Sequence, residues 1–179
     1  MSGNISAINE ILDKYEEGDE LEIRVGSFND YFKASIEKDI FLKFINHFKT
    51  NTDYKLTSKK QIIWFYNNRI KKIYDLDTKI SYYVKKRLKQ LLDMRNNNIR
   101  IALNKEIILT ENDNENYQYT TKRLRNSYVK KDNTLKIDMS IDINLSNKEI
   151  YYIEFEFLKK PTYEYIMYVL EMIKNINKF

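Results

Sequence analysis

The chain has no cysteine, one proline, three glycines and one histidine among its 179 residues. Without cysteine there is no disulfide framework, no thiol nucleophile and no thiolate-ligated zinc or iron–sulfur centre. With His47 as the sole histidine, a multi-histidine metal site is excluded as well. No apolar run approaches the roughly 20 residues of a membrane-spanning helix, and Met1-Ser2-Gly3-Asn4 begins no signal peptide. The expectation is a soluble, cytoplasmic protein with no membrane partner. Its 42% apolar and 14% aromatic content is enough for a core.

What is abundant is lysine, asparagine, isoleucine and tyrosine, together almost half of the chain. These residues have A/T-rich codons, so part of the net charge of +5 reflects codon bias rather than a nucleic-acid partner. Where the charges sit has to decide their meaning. No repeat, linker or charge block divides the chain, and residues 1–179 are expected to form one domain.

Apolar spacing predicts three amphipathic helices. Ile8, Ile11 and Leu12 mark one over Ser6–Tyr15. Ile36, Ile40, Phe41, Phe44, Ile45 and Phe48 mark a second, opening at Ala34 or Ser35. Pro161 fits the first turn of a third, Thr162 to about Lys178, with Ile166, Val169, Leu170, Ile173 and Ile176 as its apolar face. Between them the period changes to two. Strands are predicted over 21–25, 61–66, 69–74, 81–88, 99–104, 120–129, 135–143 and 150–158. Residues 75–78 and 131–134 read as hairpin turns, and 96–98 and 111–116 as polar loops. The fold class is mainly β with flanking helices (α+β), roughly eight antiparallel strands able to close into a barrel.

Successive strand side chains point to opposite faces. Glu20, Glu22 and Arg24 therefore share one face, opposite Leu21, Ile23 and Val25. Tyr152, Glu154 and Glu156 alternate with Ile153, Phe155 and Phe157. Lys136, Asp138, Ser140 and Asp142 alternate with Ile137, Met139, Ile141 and Ile143. Arg100 alternates with Ile99 and Ile101. Arg123, Arg125 and Ser127 share one face, and Lys85 and Arg87 share one face of Tyr83–Arg87. On any single strand such alternation is ordinary, because antiparallel sheets often have one wet face. Across the set, the charges are segregated by sign. Same-face neighbours on a strand are only ~6.6–7 Å apart, so paired carboxylates repel unless a cation lies between them. Three helices can cover the apolar face and leave the charged face to line an interior. Carboxylates suit Mg²⁺ or Mn²⁺, and Arg and Lys suit phosphate oxygens, so the pattern points to a metal–polyphosphate site.

At these residues the sequence resembles a known family. Glu20-Leu21-Glu22-Ile23-Arg24-Val25-Gly26-Ser27-Phe28 and Tyr151-Tyr152-Ile153-Glu154-Phe155-Glu156-Phe157 are similar to the first and last metal-binding strands of the triphosphate tunnel metalloenzymes. The likeness is closest to the metal-dependent RNA 5′-triphosphatases of mRNA capping in fungi, protists and large DNA viruses. Residues 100–106, 122–128 and 136–140 resemble three internal strands of that branch, in order. The resemblance implies an eight-stranded antiparallel tunnel that holds the triphosphate end of RNA. Glu20, Glu22 and Glu156 would ligate Mg²⁺ or Mn²⁺, and Glu154 would hold a metal-bound or attacking water. Arg24, Arg100, Arg123, Arg125 and Lys136 would grip phosphate oxygens, Asp138 would steady a neighbouring basic side chain or water, and Lys85 and Arg87 would add substrate contacts.

There are departures. Tyr152 stands where the family commonly has a third acidic residue, and Ala102 where many relatives have Ser. The stretch 83–88 matches only loosely. There is no guanylyltransferase lysine motif, so a guanylyltransferase or other capping-enzyme domain is an implied partner. Two other readings stand beside this one. In one the tunnel serves inorganic tripolyphosphate or nucleoside triphosphates; in the other the protein is a non-catalytic β-barrel that binds single-stranded RNA by charge and Tyr stacking. His47 reads as a helix-face residue, Trp64 as core, and Lys59-Lys60, Lys71-Lys72 and Lys130-Lys131 as solvated faces or turns.

Overall fold

The alternation in Asp19–Val25 is resolved by what covers each side. Leu21, Ile23 and Val25 are buried beneath helices, while Glu20, Glu22 and Arg24 point the other way, into a closed ring of strands. The computed structural model describes residues 2–110 and 116–178. In chain order these form α1 (Ser2–Asp13), β1 (Asp19–Val25), β2 (Ser27–Phe28), β3 (Phe32–Lys33), β4 (Ser35–Ile36) and α2 (Lys38–Lys49). β5 (Tyr54–Phe65), β6 (Ile70–Asp75), β7 (Ser81–Met94) and β8 (Ile99–Leu109) follow, then β9 (Tyr119–Lys130), β10 (Leu135–Ile143), β11 (Glu149–Phe157) and α3 (Tyr163–Lys178).

The strands run in the order β1-β8-β7-β6-β5-β9-β10-β11, and β11 pairs back onto β1, all antiparallel. Closure leaves the ring no free edge strand. β4 adds to β11 through Tyr151↔Ile36 and Tyr152↔Ser35, taking up the place beside β11 where β1 ends. The expected eight-stranded antiparallel ring with flanking helices is the observed fold.

The core lies outside the ring, between strands and helices. Ile8 and Ile11 of α1, Phe41, Phe44 and Phe48 of α2, and Ile166, Val169 and Ile173 of α3 form one cluster with Leu21, Ile101, Ile137 and Phe155. Phe155 lies 6.1 Å from Phe44 and 6.3 Å from Phe48, ring to ring. Local chemistry sets the ends. Asp75 Oδ1 accepts from the backbone N–H groups of Asp77 and Thr78, both at 3.0 Å, and turns β6 into β7. Asn144 Oδ1 does the same for Ser146 at 3.0 Å and Lys148 at 2.9 Å between β10 and β11. Thr162 Oγ1 caps α3 through the Tyr165 N–H at 3.2 Å. A Cβ on Gly26 would meet the Lys33 carbonyl at 2.2 Å, so only glycine passes beneath the β2–β3 hairpin.

Several boundaries differ from those expected. α2 begins at Lys38, not at Ala34 or Ser35, because Ser35 and Ile36 are spent on pairing with β11 and Glu37 is still extended. β5 begins at Tyr54 rather than near Gln61. Its first half, Lys55–Lys60, is exposed and carries no apolar alternation, yet pairs fully with β9. β7 runs on to Met94 past a register shift between Leu88 and Gln90 that breaks the period. In the polar loop expected over 111–116, residues 111–115 lie outside the described residues.

Phe155 is 0% exposed and Leu56 is 49% exposed. Phe155→Ala is expected to destabilise the protein by about 3–5 kcal/mol, and Leu56→Ala by roughly 0.5 or less. Urea unfolding followed by circular dichroism measures both.

Candidate active site

Directly opposed residues of an antiparallel ladder share a face, so the register lays out the interior in layers. One layer runs Lys136, Glu156, Glu22, Ala102. The next runs Ser127, Asp138, Glu154, Arg24, Arg100, Asp93. Above it come Arg125, Ser140 and Tyr152, and then Gln61, Arg123 and Asp142. Like charges thus lie side by side across strands at Glu156–Glu22, Asp138–Glu154 and Arg24–Arg100, and opposite charges meet at Lys136–Glu156 and Glu154–Arg24.

Their contacts follow from burial, since a charge removed from water needs a partner. Glu22 accepts from Arg24 Nη2 at 2.7 Å and from Asn104 Nδ2 at 2.9 Å. Lys86 Nζ lies between Glu20 at 2.5 Å and Glu22 at 3.4 Å. Glu154 pairs with Arg24 Nε at 3.2 Å, and Glu156 with Lys136. Asp138 holds Arg125 at 3.3 Å and Lys136 at 3.5 Å, and accepts the Ser127 hydroxyl at 2.5 Å. Arg123 makes a two-point contact with Asp142 at 2.6 and 2.8 Å.

Protonation follows the same geometry. Burial alone would push the Glu154 carboxyl up, but Arg24, Lys86, Arg125 and Arg123 together hold it well below the usual carboxylate range. Glu154 is therefore an ionised acceptor at neutral pH. Glu20 and Glu22 are pushed up by burial, helped by carboxylate neighbours and opposed by Lys86 and Arg24. Lys71 is pushed down to about 8 by burial and by Arg123, Lys86 and Arg24, with Glu154 opposing.

Glu20, Glu22, Arg24, Arg123, Arg125, Lys136, Asp138, Glu154 and Glu156 all share the interior. Arg100 shares it too, but Asp93 grips its guanidinium at 2.6 and 2.8 Å and the Phe32 ring lies 4.5 Å from it. Lys85 and Arg87 do not join the site. They line a groove with Arg69 and Ile107 that Lys86 also borders, but it is the Lys86 ammonium that reaches the interior carboxylates Glu20 and Glu22. In Tyr83–Arg87 the face-defining residue is Val84, buried inside the ring, so the even positions point inward. Lys71, expected on a solvated face, also points in, and shares a cavity with Arg24 and Glu154. Its sequence neighbour Lys72 lies over the Trp64 and Tyr83 rings instead, as strand alternation requires. Asn104, Ser127 and Asp142 complete the network; only the parity of Ser127 and Asp142 announced them.

The donor set fits a divalent cation. Three glutamates share one face of paired strands, and carboxylate oxygens are the ligands Mg²⁺ and Mn²⁺ prefer. Among the described residues no three acidic groups yet enclose an ion; the Lys86 and Lys136 ammonium groups neutralise them.

No family model matches this sequence, and no curated protein matches it. Solved structures do. The S. pombe Pct1 RNA triphosphatase, in complex with the Spt5 CTD, superposes with a TM-score of 0.68 at 17% identity, over 99% of this chain and 84% of that one. The Mimivirus capping enzyme triphosphatase superposes with a TM-score of 0.71 at 15% identity, over 100% of this chain and 99% of that one. At such identities the likeness is one of fold, and the ring of this chain is the tunnel fold of those triphosphatases.

At pH 8 about half of Lys71 is uncharged, against less than ~1% of an ordinary lysine. Mass-spectrometric mapping after brief acylation at that pH is expected to find Lys71 modified ahead of Lys72. Inorganic tripolyphosphate, which favours the charged amine, should slow that modification.

Proposed function

We propose that this protein is a metal-dependent RNA 5′-triphosphatase, removing the γ-phosphate from the 5′-triphosphate end of nascent mRNA in the first step of cap formation. The observation that carries the reading is the convergence of Glu20, Glu22, Glu154 and Glu156 with Arg24, Lys86, Arg123, Arg125 and Lys136 inside one closed ring. The tunnel fold of the structural neighbours supports it.

Glu20, Glu22 and Glu156 would hold a Mg²⁺ or Mn²⁺ ion, which would supply Lewis-acid neutralisation of phosphate oxygens. Arg125 and Lys136, now resting on Asp138 and Glu156, turn to the γ-phosphate oxygens. Arg24 and Arg123 stand where they can bind the oxygens that follow, and Arg123 is kept in place by Asp142. Glu154 accepts a hydrogen bond from water and aims it at the γ-phosphorus, in line with the bridging oxygen. The water oxygen bonds to phosphorus, the γ–β bridge breaks, and its electron pair leaves on the RNA diphosphate. With its carboxyl held so far down, Glu154 orients the water and does not store its proton, which passes to the released phosphate. The 5′-diphosphate product is what a guanylyltransferase consumes, and such a domain is the partner this reading implies.

The alternative substrates for the same tunnel are inorganic tripolyphosphate and nucleoside triphosphates. A non-catalytic RNA-binding barrel has no need of paired carboxylates on its inner face, and Glu20, Glu22, Glu154 and Glu156 lie there, which favours the enzyme reading.

Phosphate release from 5′-triphosphate RNA is expected with Mg²⁺ or Mn²⁺ and not with EDTA. Glu22→Ala, Glu156→Ala and Glu154→Gln should each lower kcat/KM by on the order of 100-fold or more. An inactive wild type, or variants within a few-fold of it, would refute the reading. Turnover of tripolyphosphate and ATP beside RNA ranks the substrates.

A further inference from the structure

Charged groups account for only part of the interior. The cavity that contains Glu154 has a volume of about 590 Å³ and extends past Arg123 and Lys71 to Phe65, Tyr119 and Tyr152. Phe65 and Tyr119 are cross-strand partners whose rings stack at 4.4 Å and 15°. Tyr119 is 51% exposed, so this is the rim. Tyr152 continues the wall inward, with the Arg123 guanidinium 5.8 Å from its ring. Leu145, 86% exposed at the tip of the β10–β11 turn, borders the same opening.

A bare phosphate chain has no use for this surface. Its oxygens are charged, and aromatic and aliphatic carbon next to them offers no compensation for lost water. A planar heterocycle joined to a polyphosphate suits both parts, stacking on rings at the rim while its phosphates run inward past cations. On β10 the span from Lys136 to Asp142 is roughly 20 Å of strand, more than three linked phosphoryl groups need. The path from the carboxylates to the aromatic rim is thus long enough for a triphosphate with its nucleoside still at the mouth. Tyr152 belongs to this wall: where the tunnel pattern expects a third carboxylate, this chain has a ring that faces the incoming nucleoside.

We infer that the Phe65–Tyr119–Tyr152 rim is a nucleoside subsite, taking the base of a nucleoside 5′-triphosphate, free or at the end of an RNA, with its α-phosphate beside Arg123 and Lys71 and its γ-phosphate toward Glu154. This deepens the triphosphatase reading and rests on it for the direction of the phosphate chain. Because every base has a π-face, the subsite accepts all of them and adds nothing to the binding of a base-free polyphosphate.

The test is fluorescence of a 5′-triphosphate oligoribonucleotide whose first base is 2-aminopurine, titrated with the full chain in EDTA so that no metal-dependent turnover intervenes. Stacking quenches the probe. Quenching is expected for the first base and not for a 2-aminopurine placed fifth. Tyr119→Ser and Tyr152→Ser should weaken binding by roughly 10-fold and remove the quench; Leu145→Ser, at an exposed turn, is the second route if a strand variant fails to fold. An unquenched first base, or a Tyr119→Ser protein that binds as wild type, overturns the inference. The free 2-aminopurine riboside triphosphate beside the oligonucleotide separates the two sources: tighter oligonucleotide binding assigns the subsite to RNA, equal binding to free nucleotides, and either upholds the base contact. If quenching is intact while no phosphate is released with Mg²⁺ or Mn²⁺, the nucleoside subsite stands and the triphosphatase reading fails.

Discussion

Enclosing charge is the constraint around which the rest of this molecule is arranged. A ring of eight strands has an inside, and here it is lined with glutamate, aspartate, arginine and lysine rather than with aliphatic side chains. Each buried ion must meet an opposite one or lose far more in hydration than folding can return. The order of the strands satisfies that demand. β1 and β11, which carry the glutamates, are flanked by β10, and β7 reaches across with Lys86, so Glu20, Glu22 and Glu156 all find an ammonium. Arg24 serves two carboxylates at once, and Asp138 serves two cations.

A polar interior leaves the stabilising apolar burial to the outside. Three helices lay their apolar faces on the outward residues of β1, β8, β10 and β11. That layer keeps rigid the strands that carry the carboxylates. The pairs inside are therefore fixed by backbone register rather than by flexible loops, the condition for a site that holds charge in place before a ligand arrives. On the proposed function, phosphate oxygens would replace carboxylates on the cations, and a metal would replace the ammonium groups on the glutamates.

Much of this is readable along the chain. Glu20-Leu21-Glu22-Ile23-Arg24 and Ile153-Glu154-Phe155-Glu156 assign their own faces, because an apolar residue at every second place leaves no choice of register. The same logic carries Lys136, Asp138, Arg123 and Arg125 into the interior. It fails where both faces are polar. Tyr83–Arg87 has a single aliphatic residue, Val84, and that residue points into the tunnel; taking the apolar side as outward puts Lys85 and Arg87 in the site and leaves out Lys86. It fails too for Lys55–Lys60, whose strand exists because β9 pairs with it and not because its own residues ask for one.

Alternation is a one-dimensional property, so where an apolar residue recurs at every second place the sequence suffices for a strand, its two faces and the sign of charge each presents. Which strand lies next to which is decided by closure of the sheet, a contact between residues as distant as Glu22 and Glu156. Only that closure turns seven scattered arginines into four that share an interior, Arg24, Arg100, Arg123 and Arg125, and further engages Arg100 with Asp93. The net charge of +5 is a property of composition. The field inside the tunnel is a property of register, because Coulomb interactions depend on distance and burial and neither is written in the order of residues.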